Sequence, residues 1–221
     1  MKLVIFGATG ATGQQITAQA LDAGHAVTAF VRSPAKLGAL AARVRVTTGD
    51  VTDRAAVEKA SDGQEAAVVA LGATNPFRRM PGLTVGMHNI LMALEAAHVS
   101  RLVYLSADTV DRRRLNFLRR RVIVPVLLAA TAADHELDEA MIRQSRLAWV
   151  IVRPPMLTNG ARTGRYRAGE SVQAETPVPR LSRADVAAFM LDQLEDDQFL
   201  GQAPTLLPSA SLYARSRKET R

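Results

Sequence analysis

Short apolar runs alternate along this chain with longer stretches whose apolar residues recur at helical spacing. Residues 2–6 are the first apolar run and read as a buried strand. An amphipathic stretch of helical period follows over 12–23. The same pattern predicts strands over 26–31, 44–47, 66–71, 101–105 and 147–152. It predicts helices over 34–41, 53–60, 83–97, 134–145 and 182–194. The run at 66–71 is nearly all apolar, which fits a strand covered on both faces. Ser33 stands as N-cap before Pro34, and Ser182 with Asp185 forms a capping-box-like start with Asp in place of Glu. A short last strand is expected over 205–207.

Strands that alternate with helices predict an α/β fold, a Rossmann-like, doubly wound parallel sheet with right-handed crossovers. The expected order is 3-2-1-4-5-6, with a short seventh strand, and a ligand crossing the carboxyl ends of strands one and four. Two segments break the rhythm. One, 107–133, is arginine-rich with an apolar stretch inside it. The other, 154–181, is rich in Pro, Gly and Arg. Both follow strand carboxyl ends, so both are expected to flank the site as lid or substrate-binding elements. Residues 1–208 read as one domain, and 209–221 as a polar, basic, frayed tail.

The turn after strand one carries the chemistry. Gly7, Gly10 and Gly13 stand at a spacing of three between strand and helix. That context makes a glycine motif a dinucleotide site. Gly7 permits the tight turn, Gly10 lets backbone approach a pyrophosphate, and Gly13 lets helix pack on strand. The helix N-terminus offers N–H groups and a positive dipole end. The second nucleotide signal is at the end of strand two. An acidic residue there would bind the ribose hydroxyls of NAD, but the chain reads Phe30, Val31, Arg32, Ser33, with Lys36 one turn on. A guanidinium fork and a hydroxyl at a helix start suit a 2′-phosphate, so the expected cofactor is NADP(H). Asp50 and Val51 are placed to hold the adenine, and Leu71, Gly72 and Ala73 to pass along the cofactor.

Composition narrows the classes. The chain has 221 residues, 48% of them hydrophobic, no cysteine and a net charge of +7. Disulfide scaffolds and thiol chemistry are excluded. The four histidines lack metal-ligand spacing. No leader and no membrane-spanning run is read, so a soluble cytoplasmic protein is expected. The basic residues are nearly all arginine and partly clustered, at 112–114, 119–121 and in the tail. No helix-turn-helix, zinc or RNA-binding signature accompanies them. A solvated face or attraction for an anionic cofactor is the reading preferred to nucleic acid.

The ensemble of motifs resembles the atypical short-chain dehydrogenase/reductase group with NAD(P)-binding NmrA-like domains, and within it the flavin reductase (biliverdin-IXβ reductase) branch. The marks run in order to about residue 207: Gly-Ala-Thr-Gly-Ala-Thr-Gly from Gly7, Val-Thr-Ala-Phe-Val-Arg from Val27, Gly-Asp-Val from Gly49, and Leu-Gly-Ala-Thr-Asn from Leu71. Then come Ser106-Ala107, Asp134-His135, Arg-Gln-Ser-Arg-Leu from Arg143, Pro154-Pro155, and Thr163-Gly164-Arg165-Tyr166. The resemblance implies hydride transfer from NADPH to a small planar acceptor such as a flavin or linear tetrapyrrole. It implies that Thr9, Ala11, Thr12 and Gly13 line the pyrophosphate. Ser106 would sit beside the nicotinamide, with Pro154, Pro155 and Met156 running past the ring and His135 lining the site. The chain departs from the branch at Met156, where the branch has a second histidine, and in the longer segment between Ser106 and His135.

The residues themselves set limits on the chemistry. Tyr104, Tyr166 and Tyr213 are the only tyrosines, and none has a lysine four residues on. The proton relay of an ordinary alcohol dehydrogenase is therefore missing. A conjugated acceptor such as a flavin, quinone or tetrapyrrole spreads added charge itself and needs less help. Ser106 can donate a hydrogen bond to a carboxamide or acceptor oxygen, and reads equally as a strand-end cap. His135 titrates near neutrality and can relay a proton. Without the resemblance it reads as a surface helix histidine. Arg153, with Arg162, Arg165 and Arg167, can meet a phosphate or an acidic substrate, or form a solvated rim. The alternative to an enzyme is a dinucleotide-binding redox sensor without turnover. The sequence does not distinguish monomer from dimer.

Overall fold

The computed structural model describes residues 1–72, 79–111, 115, 121 and 129–209. Expectations for Ala73, for arginines 112–114, 119 and 120, and for the tail beyond 209 lie outside the described residues.

Six parallel strands form one sheet in the order β3-β2-β1-β4-β5-β6. They are β1 (Lys2–Phe6), β2 (Ala26–Val31), β3 (Arg45–Thr48), β4 (Ala66–Val69), β5 (Arg101–Leu105) and β6 (Ala148–Val152). The expected strand order is the observed one. Successive strand side chains point to opposite faces, so each apolar strand feeds two cores. Leu3, Ile5, Val68, Val103 and Val150 face helices α1 (Ala11–Asp22) and α5 (Arg183–Asp192) through Ile16, Val186 and Met190. Val4, Phe6, Val69, Leu102 and Ile151 face α2 (Arg54–Ser61), α3 (Pro81–Ala96) and α4 (Ala129–Gln144) through Val57, Ile90 and Ile142. Phe6 is wholly buried with its ring 5.3 Å from that of Phe30. A side chain of that kind contributes roughly 2–3 kcal/mol by burial.

Two helices open on side-chain caps, the second of them the expected one at Ser182. Asp53 accepts from Ala56 N–H at 3.2 Å to open α2. Ser182 accepts from Asp185 N–H at 2.9 Å and donates to its carboxylate at 2.8 Å to open α5. Elsewhere the elements differ. The expected helix over 34–41 is a 3-10 helix, Pro34–Ala42, broken at Gly38 (φ +56°), and Ser33 at its N-cap makes no side-chain capping bond. Helix α4 starts at Ala129, five residues before the expected start.

The segment 154–181 contains β7 (Met156–Thr158) and β8 (Tyr166–Gly169), with β9 (Arg180–Ser182) at its end. β7 pairs with β9, and β8 pairs antiparallel with β10 (Thr205–Pro208). β10 is the expected last strand, and the chain leading into it runs along the outer edge of β6. Ile151 N–H donates to Gln202 O at 3.1 Å, Arg153 N–H to Pro204 O at 3.0 Å, and Leu206 N–H to Arg153 O at 3.0 Å. The edge that β6 would otherwise expose is thereby covered.

Candidate active site

An open cleft of about 470 Å³ lies over the carboxyl ends of β1, β2 and β4, where the strand order reverses. That is where ligands of such sheets bind. Gly7, Thr9 and Gly10 line its floor. Gly7 has φ +90°, and a Cβ there would lie 2.4 Å from Ala70 O. A Cβ on Gly13 would lie 2.0 Å from Gly7 O. Both glycines are therefore required by the protein's own backbone. Gly10 is different, because its Cβ would meet only Gly7 O, at 3.3 Å. Gly10 is the N-cap of α1, no side chain caps this end, and the first turn holds no acidic residue. The helix thus presents unopposed N–H groups to the cleft, as a pyrophosphate needs. Thr12 and Gly13 are buried and Ala11 is exposed.

At the far end the cleft is lined by Phe30, Val31, Arg32, Lys36, Asp50 and Val51. Arg32 is 69% exposed and lies 3.8 Å from Asp50. So open a pair is worth little, and the guanidinium is available to a ligand. Asp50 accepts from Thr52 N–H (3.0 Å) and Thr52 Oγ1 (2.7 Å), and these bonds hold its carboxyl below the usual range. Ser33 is half-buried beside this end. Val51 is fixed from behind by residues that sequence reading passed over. Asn89 donates to Val51 O at 3.0 Å, and α3 approaches so closely that a Cβ on Gly86 would lie 2.3 Å from Val51 Cγ2. Leu71 and Gly72 continue along the cleft. No atom of the described residues lies within 4 Å of where a Gly72 Cβ would stand.

The β5–β6 ladder extends past the strands and builds the other side. Ser106 N–H donates to Val152 O at 2.8 Å and Asp108 N–H to Pro154 O at 2.9 Å. Ser106 and Arg153 are thus brought over α4, where Glu139 is wholly buried. Glu139 accepts from Ser106 Oγ (2.6 Å), from Arg153 Nε (2.9 Å) and an Arg153 terminal nitrogen (2.5 Å), and from Arg143 (2.6 Å). Burial alone would raise its carboxyl, but the bonds from Arg153 and Ser106 outweigh this and hold it below the ordinary glutamate range. Arg153, expected at a phosphate or acidic substrate, has Glu139 as its partner and is itself buried, with Asp111 3.8 Å away. The Ser106 hydroxyl, expected to donate to the ligand, spends its proton on Glu139, so its oxygen is left as an acceptor. Pro154 and Pro155 are buried, and Met156 is 50% exposed.

Next to this network, Tyr104 is buried on β5 with its hydroxyl 2.7 Å from His135 Nδ1 and 2.8 Å from Asp138 Oδ2. A small pocket of about 20 Å³ is lined by Tyr104, His135 and Asp138 together with Leu71, Gly72 and Leu83, which also line the large cleft. His135 is partly buried, which lowers its pKa. Burial, then the nearby carboxylates, raises the Tyr104 phenol. Burial pushes Asp138 up to about 7 against the hydrogen bond from Tyr104. Asp134 closes the pocket's rim, accepting from Arg79 and from Met80 N–H, each at 2.9 Å. Tyr104, Asp138 and Glu139 were not read from sequence as site residues. The available signal was the set Asp134, His135, Asp138, Glu139, two i,i+4 pairs that place four titratable groups on adjoining faces of one helix.

The family model described as NAD(P)H-binding matches residues 7–197. A Streptomyces griseus protein named (4-alkanoyl-5-oxo-2,5-dihydrofuran-3-yl)methyl phosphate reductase is 27% identical over 97% of this chain and 71% of its own. The uncharacterized YwnB of Bacillus subtilis is 29% identical over 95% of this chain and its whole length. Among solved structures, ChuY of Escherichia coli O157:H7, titled an anaerobillin reductase, superposes with TM-score 0.78 at 22% identity, covering 95% of this chain and 98% of its own. The latter likeness is one of fold. Among the described residues no helix is long and apolar enough to cross a membrane. The chain belongs to the NAD(P)H-binding family.

Proposed function

We propose that this NAD(P)H-binding protein is an NADPH-dependent oxidoreductase that reduces a small, planar, conjugated acceptor of flavin, tetrapyrrole or quinone type. The observation that carries the reading is the uncapped N-terminus of α1 at the floor of a cleft over the sheet's reversal point. The reductase names of the Streptomyces and Escherichia relatives support the reaction class.

The chain's own residues divide the work. N–H groups of residues 11–13 hold the pyrophosphate, with Thr9 beside it. Arg32 and Lys36 take the 2′-phosphate, with Ser33 at the turn, and this favours NADP(H) over NAD(H). Asp50 and Val51 hold the adenine. The Ser106 oxygen accepts from the nicotinamide carboxamide. Buried Pro154 and Pro155, with Met156 at their mouth, wall the ring and exclude water. When bound, the cofactor supplies hydride. Because a conjugated acceptor delocalises the added charge, positioning is the main catalytic requirement.

The test is NADPH oxidation against FMN, riboflavin, biliverdin isomers and quinones, with NADH as control. Turnover with NADPH and one acceptor class supports the reading. Tight NADPH binding with no oxidation across the panel replaces it with a non-catalytic redox sensor.

A further inference from the structure

Tyr104, His135 and Asp138 make a hydrogen-bonded chain that no cofactor contact explains. The three come from two elements, β5 and α4, and meet at the pocket that shares Leu71, Gly72 and Leu83 with the cleft. Asp138 is 8% exposed, and its Oδ1 is buried with no hydrogen-bond partner among the described residues. A buried carboxylate with an orphaned oxygen is costly, whereas a carboxylic acid is less so. The single phenolic proton can go to only one neighbour of Tyr104, so the other must donate to its oxygen: either His135 from Nδ1–H, or Asp138 as the acid. If the acid proton of Asp138 points to the tyrosine oxygen, the tyrosine proton is free to point to His135 Nδ1. His135 then carries its own proton on Nε2, which has no partner among the described residues.

We propose that Asp138, Tyr104 and His135 form a proton relay that stores a proton at the Asp138 carboxyl and delivers it through Tyr104 and His135 Nε2 to the acceptor. The proposal rests on the reductase reading and adds to it the source of the proton. The acceptor gains two electrons and one hydrogen as hydride and then takes the Nε2 proton. His135 Nδ1 takes the Tyr104 proton, Tyr104 oxygen takes the Asp138 proton, and Asp138 is left a carboxylate to be reprotonated from solvent. The sum is one hydride and one proton gained by the acceptor.

The surroundings favour a proton held there. Asp138 stands near 7 through burial, with Asp134 and Glu139 on its own helix adding to the push. Asp134 is paired with Arg79, and Glu139 with Arg153 and Arg143. From the 3-10 turn Asp108–Val110, which packs on α4, come Asp108 and, just beyond it, Asp111. From α3 the pocket receives Leu83 and Met87, both apolar. His135 is kept neutral by burial, so it can act as carrier without resting as a cation.

Two readouts test this. The first needs no cofactor: the ring nitrogens of His135 are followed by NMR against pH in the wild type, Asp138→Asn and the isosteric Tyr104→Phe. A relay predicts a His135 shift step near neutral pH that follows Asp138 and vanishes in both variants. A His135 titration identical in all three overturns the proposal. The second is the pH profile of NADPH oxidation with FMN, biliverdin and a soluble naphthoquinone as probes. The wild-type rate should fall about tenfold per pH unit above the neutral step. Both variants should lose that slope and on the order of 10²-fold in kcat, with NADPH affinity unchanged. Turnover with an unchanged profile in the variants overturns the relay and leaves the reductase standing. Wild-type protein that oxidises no NADPH with any probe overturns the reductase, and the relay's role with it.

Discussion

Glu139→Gln should cost the protein about 4 kcal/mol of stability, because the side chain is the buried hub between α4 and the β5–β6 ends. Its carboxylate is wholly buried and accepts four hydrogen bonds, three of them from guanidinium groups. Glutamine keeps the shape but has one acceptor oxygen, so its amide N–H₂ faces donors. Arg153, itself buried, would keep Asp111 at 3.8 Å and the weaker pull of Glu170 as counter-charge. Removing one member of a buried pair typically costs about 3–5 kcal/mol, since the other charge is left uncompensated. For a chain of this size each kcal/mol moves Tm by roughly 2–4 °C, so a fall on the order of 10 °C is expected. Urea unfolding and thermal melts followed by circular dichroism measure both. The glutamate's pKa is lowered by folding, so its contribution is complete above the unfolded glutamate value and lost as pH falls through the folded one. The gap between wild type and variant should therefore close in acid. The double variant Glu139→Gln/Arg153→Met should recover part of the loss, because the buried guanidinium is removed with its partner and Arg143, 40% exposed, can be solvated. A loss below about 1 kcal/mol at neutral pH, or strict additivity in the double variant, would refute the reasoning.

Three further outcomes follow from the same structure. Arg32→Ala should weaken NADPH by about 10–100-fold in a binding titration while NADH changes little; equal losses for both sink the phosphate assignment. Gly10→Val should abolish NADPH binding while the melt stays near wild type, since its Cβ meets only Gly7 O, whereas Gly13→Ala should impair folding itself; retained affinity in Gly10→Val means the turn is structural alone. Asp138→Asn should change stability with pH: the folded carboxyl is raised to about 7, so the wild type loses stability as pH rises from the ordinary aspartate value to that point. The variant should gain up to about 4 kcal/mol on the wild type between about pH 4 and 7, and a pH-independent difference in urea unfolding contradicts it.

The sheet was legible because apolar runs buried on both faces have few other readings; β1 and β4 have no polar residue to place between Leu3 and Phe6 or between Ala66 and Val69. The glycine turn was legible because its spacing and its flanking elements agree. β7 and β9 were not, since strands of three residues carry too little alternation to separate from a loop. The start of α4 was missed because Ala-rich chain before Asp134 has no cap signal. Most of the relay was hidden for a chemical reason. Asp138 and Glu139 are charged residues on an amphipathic helix, which read as the wet face, and only the neighbours Tyr104 and Arg153 reveal that they point inward. Arg153 is the converse case, an arginine that its type alone would place on the surface and that is buried by its partnership with Glu139.

The measurement that bears most directly on hydride transfer is single-turnover oxidation of NADPH deuterated at one or the other face of C4, mixed with protein and the best acceptor from the panel. A cleft that holds the nicotinamide in one orientation exposes a single face to the acceptor, so the proposed reductase predicts that one isotopomer is oxidised more slowly than unlabelled NADPH and the other at nearly the unlabelled rate. Equal rates for both isotopomers, or oxidation that does not depend on the acceptor, would contradict a reductase built on this cleft.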